Sequence, residues 1–193
     1  FVFVSSVPVI GRPRQIPITE EHPTRPLTVY HASKLYGERL VQAADDASMV
    51  GTSLRLSAPV GPGMPANRIF AVFVQNALND RPIRIYGQGT RKQNYVDVRD
   101  VAKAVQQVLR VNVSGIFNVG GAMCISNVDL ARLCIRELGS QSGIEFADQP
   151  DPEEGQMWDV SIAKATGAFG YEPEYRLEDS IRALAEDHAT GRC

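Results

Sequence analysis

The chain opens on Phe1-Val2-Phe3-Val4-Ser5-Ser6, an almost continuous run of aromatic and β-branched residues. Such a run predicts a strand covered on both faces, as in a parallel sheet. A strand of that kind needs a neighbour on each side, so the sequence is expected to begin in the middle of a domain. Val7-Pro8-Val9-Ile10-Gly11 reads as a loop, and residues 12–27, with Pro13, Pro17, Pro23 and Pro26, as an irregular surface connection. At Tyr30 the pattern turns helical and runs to about Met49, with Leu35, Leu40, Val41 and Ala44 as its apolar stripe. Gly51 stops it, and residues 52–57 predict the next strand. Strand, loop, helix and strand make a βαβ unit, parallel and right-handed. Ligands of such sheets bind beyond the carboxyl ends of the strands. Ser5 and Ser6 end one strand and Ala58-Pro59-Val60-Gly61 ends the other, so both open on one crevice beside the Tyr30 helix.

Further along, residues 67–79 read as a helix, 82–86 as a short strand and 87–89 as a turn. Gly87-Gln88-Gly89 is not a dinucleotide fingerprint, because no third glycine and no helix follow. Residues 93–98 predict a strand, Asp100 the cap of a helix through Leu109, and residues 116–119 another strand. Ser126 with Asp129 makes a capping box for a helix to about Leu138. An acidic, proline-containing loop at 148–154 precedes two last helices around 162–169 and 177–188.

Composition adds mainly exclusions. The 193 residues suit one domain, or one and a small second, with 44% hydrophobic and 22% charged residues, as in soluble globular proteins. Twenty basic and 22 acidic residues leave a charge of −2, which argues against a nucleic-acid partner. Cys124, Cys134 and Cys193 lack metal-site spacing and read as reduced thiols of a cytoplasmic protein. No apolar run is long enough for a bilayer, no signal peptide opens the chain, and no membrane partner is expected. The histidines His22, His31 and His188 read as surface residues, although His31 beside Tyr30 could sense the pocket; no metal site is expected, and the acidic loop reads as solvated.

The chemistry points to Tyr30-His31-Ala32-Ser33-Lys34. A tyrosine and a lysine four apart share one helical face. A nearby ammonium favours the phenolate, which suits a tyrosine to exchange protons with a substrate hydroxyl.

With Ser-Ser ending one strand, Tyr-x-x-x-Lys on the next helix and Arg55 to Pro62 at the following strand end, the chain resembles the extended short-chain dehydrogenase/reductases. Within them it is similar to the NAD-dependent epimerase/dehydratase family. Ser6-Val7-Pro8-Val9-Ile10-Gly11 matches that family's Ser/Thr-x-x-Val-Tyr-Gly stretch, and Tyr86-Gly87-Gln88-Gly89 with Tyr95-Val96-Asp97-Val98-Arg99-Asp100 matches its substrate-domain signature. The resemblance implies an α/β fold: the carboxyl-terminal half of a Rossmann-type parallel sheet plus a small α/β substrate domain, without the amino-terminal nucleotide-binding half. Residues 1–62 and about 99–120 would form the Rossmann-type part, and about 63–98 with 121–193 the substrate-binding part. It implies Tyr30 as acid/base, Lys34 lowering its pKa and holding the nicotinamide ribose, and Ser6 holding the substrate oxygen. Pro59 and Val60 would line the nicotinamide pocket, and the cofactor would be NAD or NADP. The activity implied is that of an oxidoreductase or epimerase on a sugar or nucleotide sugar, a small-molecule carbohydrate. A homodimer is left open.

The departures matter as much. The family's Gly-x-x-Gly-x-x-Gly loop has no counterpart in these residues, so weak or no NAD binding and no turnover are expected of this chain by itself, which reads as a fragment. Val7-Pro8 stands where dehydratases carry Asp-Glu, which argues against dehydration. Ala58 replaces the asparagine of Arg-x-x-Asn, Gln93 replaces a diphosphate-binding arginine, and Asp151 sits near the position of a second. Arg91 and Arg84 read first as exposed arginines, either of which could compensate, and the expected substrate contacts are Ser6, Arg91 and Gln93. A reductase of a small carbonyl substrate and a non-catalytic binding protein are the alternatives.

Overall fold

The computed structural model describes residues 1–46 and 48–190, and Cys193 lies outside them. The expected βαβ unit is present as β1 (Val2–Ser6), α1 (Val29–Ala43) and β2 (Thr52–Leu56). With β6 (Gly115–Val119) it forms a parallel sheet ordered β1-β2-β6, in which Ser6 stands opposite Leu56 and Leu56 opposite Val119. The three carboxyl ends therefore finish at one level. A short 3₁₀ helix at Val7–Ile10 follows β1 directly.

Beyond β2 the chain runs through β3 (Ala58–Val60), α2 (Ile69–Leu78), β4 (Ile83–Tyr86), β5 (Lys92–Asp97) and α3 (Val98–Val111). After β6 come β7 (Cys124–Ser126), α4 (Asn127–Glu137), β8 (Ile144–Ala147), β9 (Met157–Trp158), α5 (Ala163–Phe169) and α6 (Leu177–Ala189). β5 is the hub, parallel to β3 and β9 and antiparallel to β7, while β4 pairs in parallel with β8. One apolar core gathers Phe70 and Phe73 of α2, Leu130 of α4, and Ile181 and Leu184 of α6 over Ile83 and Ile85. A second packs Leu54, Phe117, Val108, Phe169 and Tyr171, and a small third joins Val7, Val9 and Ile10 to Ile18 and Trp158. No described helix is long and apolar enough to cross a membrane.

α1 lies close on β1 because Gly37 has no side chain: a Cβ there would fall 2.3 Å from the Phe3 ring. A buried network then locks the pair. The Arg55 guanidinium donates from Nε and Nη2 to the two oxygens of Glu38 at 2.9 and 2.8 Å, and Ser5 Oγ donates to the same carboxylate at 2.6 Å. Arg55 also donates to the Glu20 carbonyl, whose own carboxylate accepts the Asn118 amide at 2.7 Å. Helix, all three strands of the sheet and the 12–27 connection are thereby tied at one point.

Several expectations are corrected. β1 is not covered on both faces, for Val4 is exposed and so is Phe1 just ahead of the strand, because an apolar run alone does not say how many layers cover it; among the described residues it pairs with β2 alone. α1 ends at Ala43, not near Met49, since Asp46 Oδ1 accepts the Ser48 and Met49 amides and turns the chain. Leu40, assigned to its inner stripe, is exposed, and Glu38 is buried instead. Asp97, not Asp100, caps α3 by accepting the Arg99 amide at 2.8 Å. Asp100 is buried in the first turn and accepts the Glu174 and Tyr175 amides; burial raises its pKa. The 12–27 connection is irregular but not wholly superficial, for Ile18 is in the core. His22 is buried too, accepting the Arg14 amide at Nε2 (2.9 Å) while Nδ1 lies 3.0 Å from the Pro23 carbonyl.

Candidate active site

Thr28 caps α1 by accepting the His31 amide at 3.1 Å, which sets Tyr30 in the first turn at the carboxyl ends of the strands. Its ring is 59% exposed and meets His31 edge-on at 5.3 Å. One turn on, Lys34 Nζ donates to the Val4 carbonyl at 2.9 Å. The same ammonium lies 5.2 Å from the Phe3 ring and 5.6 Å from the Tyr30 ring. Strand β1 thus holds the cation beside the tyrosine.

The two serines differ sharply. Ser5 is buried and committed to Glu38, whereas Ser6 opens on a cleft of about 570 Å³ and its hydroxyl makes no hydrogen bond among the described residues. That cleft brings together Ser6, Tyr30, Pro59, Val60, Arg91 and Gln93. Of the residues singled out from the sequence, Lys34 is not on its wall but stands behind Tyr30, and Arg84 and Asp151 line a larger cavity instead. The cleft shares Asn67, Ile69 and Arg91 with a larger cavity of about 780 Å³ that extends to Tyr86. Asn67 and Arg68 escaped the sequence reading. Their signal was a polar pair just ahead of the apolar α2 run, where a helix presents its free amides.

Electrostatics rearrange the expected cations. Arg91 is held by Asp151 at 3.4 Å and Glu153 at 3.0 Å, and Arg84 by Glu145 at 3.2 Å. Arg68 beside the first cavity and Arg81 beside the second carry no ion pair among the described residues. The acidic loop is not simply solvated. Besides clamping Arg91, its Glu154 accepts the Gln88 amide at 2.9 Å and the Thr90 amide at 2.8 Å, with the Thr90 hydroxyl as a further donor, and so closes the β4–β5 turn. Those hydrogen bonds from Thr90 lower the Glu154 pKa. Among the described residues no group of three or more His, Cys, Asp or Glu side chains is placed to hold a metal ion.

The thiols stand apart. Burial pushes Cys124 up to about 11 and Cys134 up to about 12, so neither is a nucleophile near neutrality. A brief iodoacetamide pulse on the folded protein around pH 8 should leave both peptides unmodified by mass spectrometry, and rapid alkylation of either would contradict this placement.

The fit to a dinucleotide is one-sided. Lys34, anchored yet with two N–H bonds left, and Pro59 and Val60 on the cleft wall suit the nicotinamide-ribose end. A pyrophosphate cradle of glycines ahead of a helix is not found in these residues.

Known proteins share this fold and family pattern. Residues 1–120 match the profile of the NAD dependent epimerase/dehydratase family. The Haloferax volcanii low-salt glycan biosynthesis protein Agl12 is 26% identical over 189 residues, 96% of this chain and 60% of its own length. A UDP-glucose 4-epimerase of Lactobacillus helveticus is 26% identical over 95% of this chain and 62% of its own. The chain therefore spans about three-fifths of these curated relatives. The fold superposes on a UDP-glucuronic acid 4-epimerase from Bacillus cereus, solved with a fluorinated UDP-sugar and NAD, with a TM-score of 0.85 and 24% identity, over 98% of this chain and 61% of that one.

Proposed function

Because the chain belongs to the NAD dependent epimerase/dehydratase family, we propose that Ser6, Tyr30 and Lys34 are the proton-handling side of a site that epimerises a nucleotide sugar through a keto intermediate. The observation that carries this reading is the cleft itself. It joins Ser6 and Tyr30 to Pro59 and Val60, then continues past Asn67 and Arg91 into a second cavity, a shape for a two-part ligand. NAD, when bound, supplies a reversible hydride acceptor. Tyr30 would take the proton of the substrate hydroxyl and later return a proton to the same oxygen. Ser6 donates a second hydrogen bond to the same oxygen. Lys34 keeps positive charge beside the phenol and offers its remaining N–H bonds to the cofactor ribose. Dehydration is set aside: Val7 is buried and Pro8 has no proton to give.

Substrate charge falls to Arg68 and Arg81, the unpaired cations beside the two cavities. A substrate without a diphosphate is the second reading, favoured by the neutralised Arg91 and by Gln93 on the cleft wall. Calorimetry on the 193-residue chain separates them. UDP-glucose should bind, and Arg68→Ala should weaken it about tenfold, the loss of one charge-assisted contact. Binding of the free sugar as tight as that of UDP-glucose would favour the second reading. In the same chain NADH should give no saturable fluorescence change, and a saturable one would show that the cofactor needs no glycine cradle.

A further inference from the structure

Between β3 and α2 the chain makes a short irregular bridge, residues 61–68, and this bridge forms much of the cleft wall through Met64, Pro65, Asn67 and Arg68. Two turns shape it from within, closed by the Met64 amide on the Gly61 carbonyl at 3.2 Å and the Arg68 amide on the Pro65 carbonyl at 3.1 Å. Turns fix the shape of a loop but not where it stands on the scaffold. We propose that α6, from the far end of the chain, sets that place, with Asp187 as the positioning residue for the wall that carries Arg68. The inference rests on the nucleotide-sugar reading, in which Arg68 meets the substrate's charge, and adds the group that holds Arg68 there.

Ser180 and Asp187 share one face of α6, two turns and about 10 Å apart along its axis. Each meets the wall at a different point. The buried Ser180 hydroxyl donates to Asp97 Oδ2 at 2.6 Å. Asp97 stands opposite Val60 in the β3–β5 ladder, the last strand residue before the bridge. Arg99 fixes the same carboxylate from Nε and Nη2, both at 2.8 Å. At the bridge itself, Asp187 Oδ2 accepts the Gly63 amide at 3.0 Å, a charge-assisted contact between residues 124 positions apart. The backbone is shaped for it. Gly63 has a φ of +77°, and nothing lies within 4 Å of where its Cβ would be, so this glycine serves backbone direction and not close packing. Gly61 closes on the scaffold, for a Cβ there would fall 2.7 Å from Val98 Cγ2. Met64 and Ile69 pack against the core that Ile181, Leu184 and Ala185 of α6 help to build. Asp187 lines neither cavity, so its influence on a ligand passes through the bridge.

Calorimetry with UDP-glucose on the 193-residue chain tests the brace. Asp187→Ala should weaken binding about fivefold, the loss of one hydrogen bond that holds the wall. Asp187→Asn, whose amide oxygen accepts the same N–H, should bind within about twofold of the unaltered chain. In an Arg68→Ala background Asp187→Ala should add less than about twofold, because the group it positions is gone. A Kd unchanged in Asp187→Ala, a loss that asparagine does not recover, or a full loss repeated in the Arg68→Ala background overturns the brace. Should UDP-glucose not bind the unaltered chain, the reading of the preceding section falls, and ligand-free ¹H–¹⁵N spectra decide this one. Asp187→Ala should then shift the Asn67 and Arg68 amide signals and speed hydrogen exchange at Gly63 about fivefold, with both effects reversed in Asp187→Asn. Asn67 and Arg68 signals that stay in place would end it.

Discussion

Replacing Glu38 with alanine is expected to destabilise the fold by about 3–5 kcal/mol, a large share of the roughly 5–15 kcal/mol that holds a domain together. The reason is what remains. Arg55 and Glu38 are 3% and 0% exposed, so the variant leaves a guanidinium in the interior without its carboxylate, and Ser5 without its acceptor. The cost is one of unpaired burial and not of a strong bond lost, because two buried ions recover little more than their own desolvation. A Glu38→Met, Arg55→Met double variant should therefore regain much of the loss, though not that from the orphaned Ser5 hydroxyl and Glu20 carbonyl. Urea unfolding with linear extrapolation measures all three. A Glu38→Ala cost below about 1 kcal/mol, in the range of exposed ion pairs, would show that this network does not hold α1 on its sheet.

Tyr30→Phe is expected to lower the turnover of a nucleotide sugar by about 10²–10⁴, the range of general acid–base catalysis. The measurement needs a cofactor cradle, so the chain is joined behind the dinucleotide-binding half of a full-length relative. Phenylalanine keeps the ring that packs on His31 and removes only the proton carrier. UDP-sugar affinity should stay within about a factor of two, because a group used chiefly in the transition state shows in kcat and not in binding. A variant with undiminished kcat would remove Tyr30 from the mechanism. Lys34→Met should lower kcat as well, and Ser6→Ala less, since Ser6 offers one neutral hydrogen bond among several groups on the substrate oxygen.

Both expectations depend on how α1 is held, and here sequence and structure part company. The βαβ unit was legible because its signals are local: an apolar run, a helical period from Tyr30, a glycine stop. Tyr30 and Lys34 could be singled out because their spacing is short and their chemistry distinctive, and Ser6 and Pro59 because the stretches that hold them resemble the family's. Arg91 and Gln93 could be placed on the substrate side, but the clamp of Asp151 and Glu153 on Arg91 spans some sixty positions and leaves no periodic trace. The strands β3, β7, β8 and β9 are two to four residues long, too short for an alternating pattern, and exist through pairing with distant partners. His22 read as a surface residue, and only the folded 12–27 connection buries it and brings the Arg14 amide to its Nε2.

Local order along the chain, then, determined by itself that a strand, a helix with Tyr30 and Lys34, and a second strand would stand in sequence and share an end. Tertiary structure decided the rest. It spent Ser5 on Glu38 while leaving Ser6 to the cleft, moved the unpaired positive charge from Arg91 to Arg68, and placed Trp158 opposite Gln93. The physical reason is the range of the forces concerned. Helix and strand periods are read over a few neighbouring residues. Desolvation, ion pairing and ladder register depend on groups that only the folded chain brings within hydrogen-bonding distance.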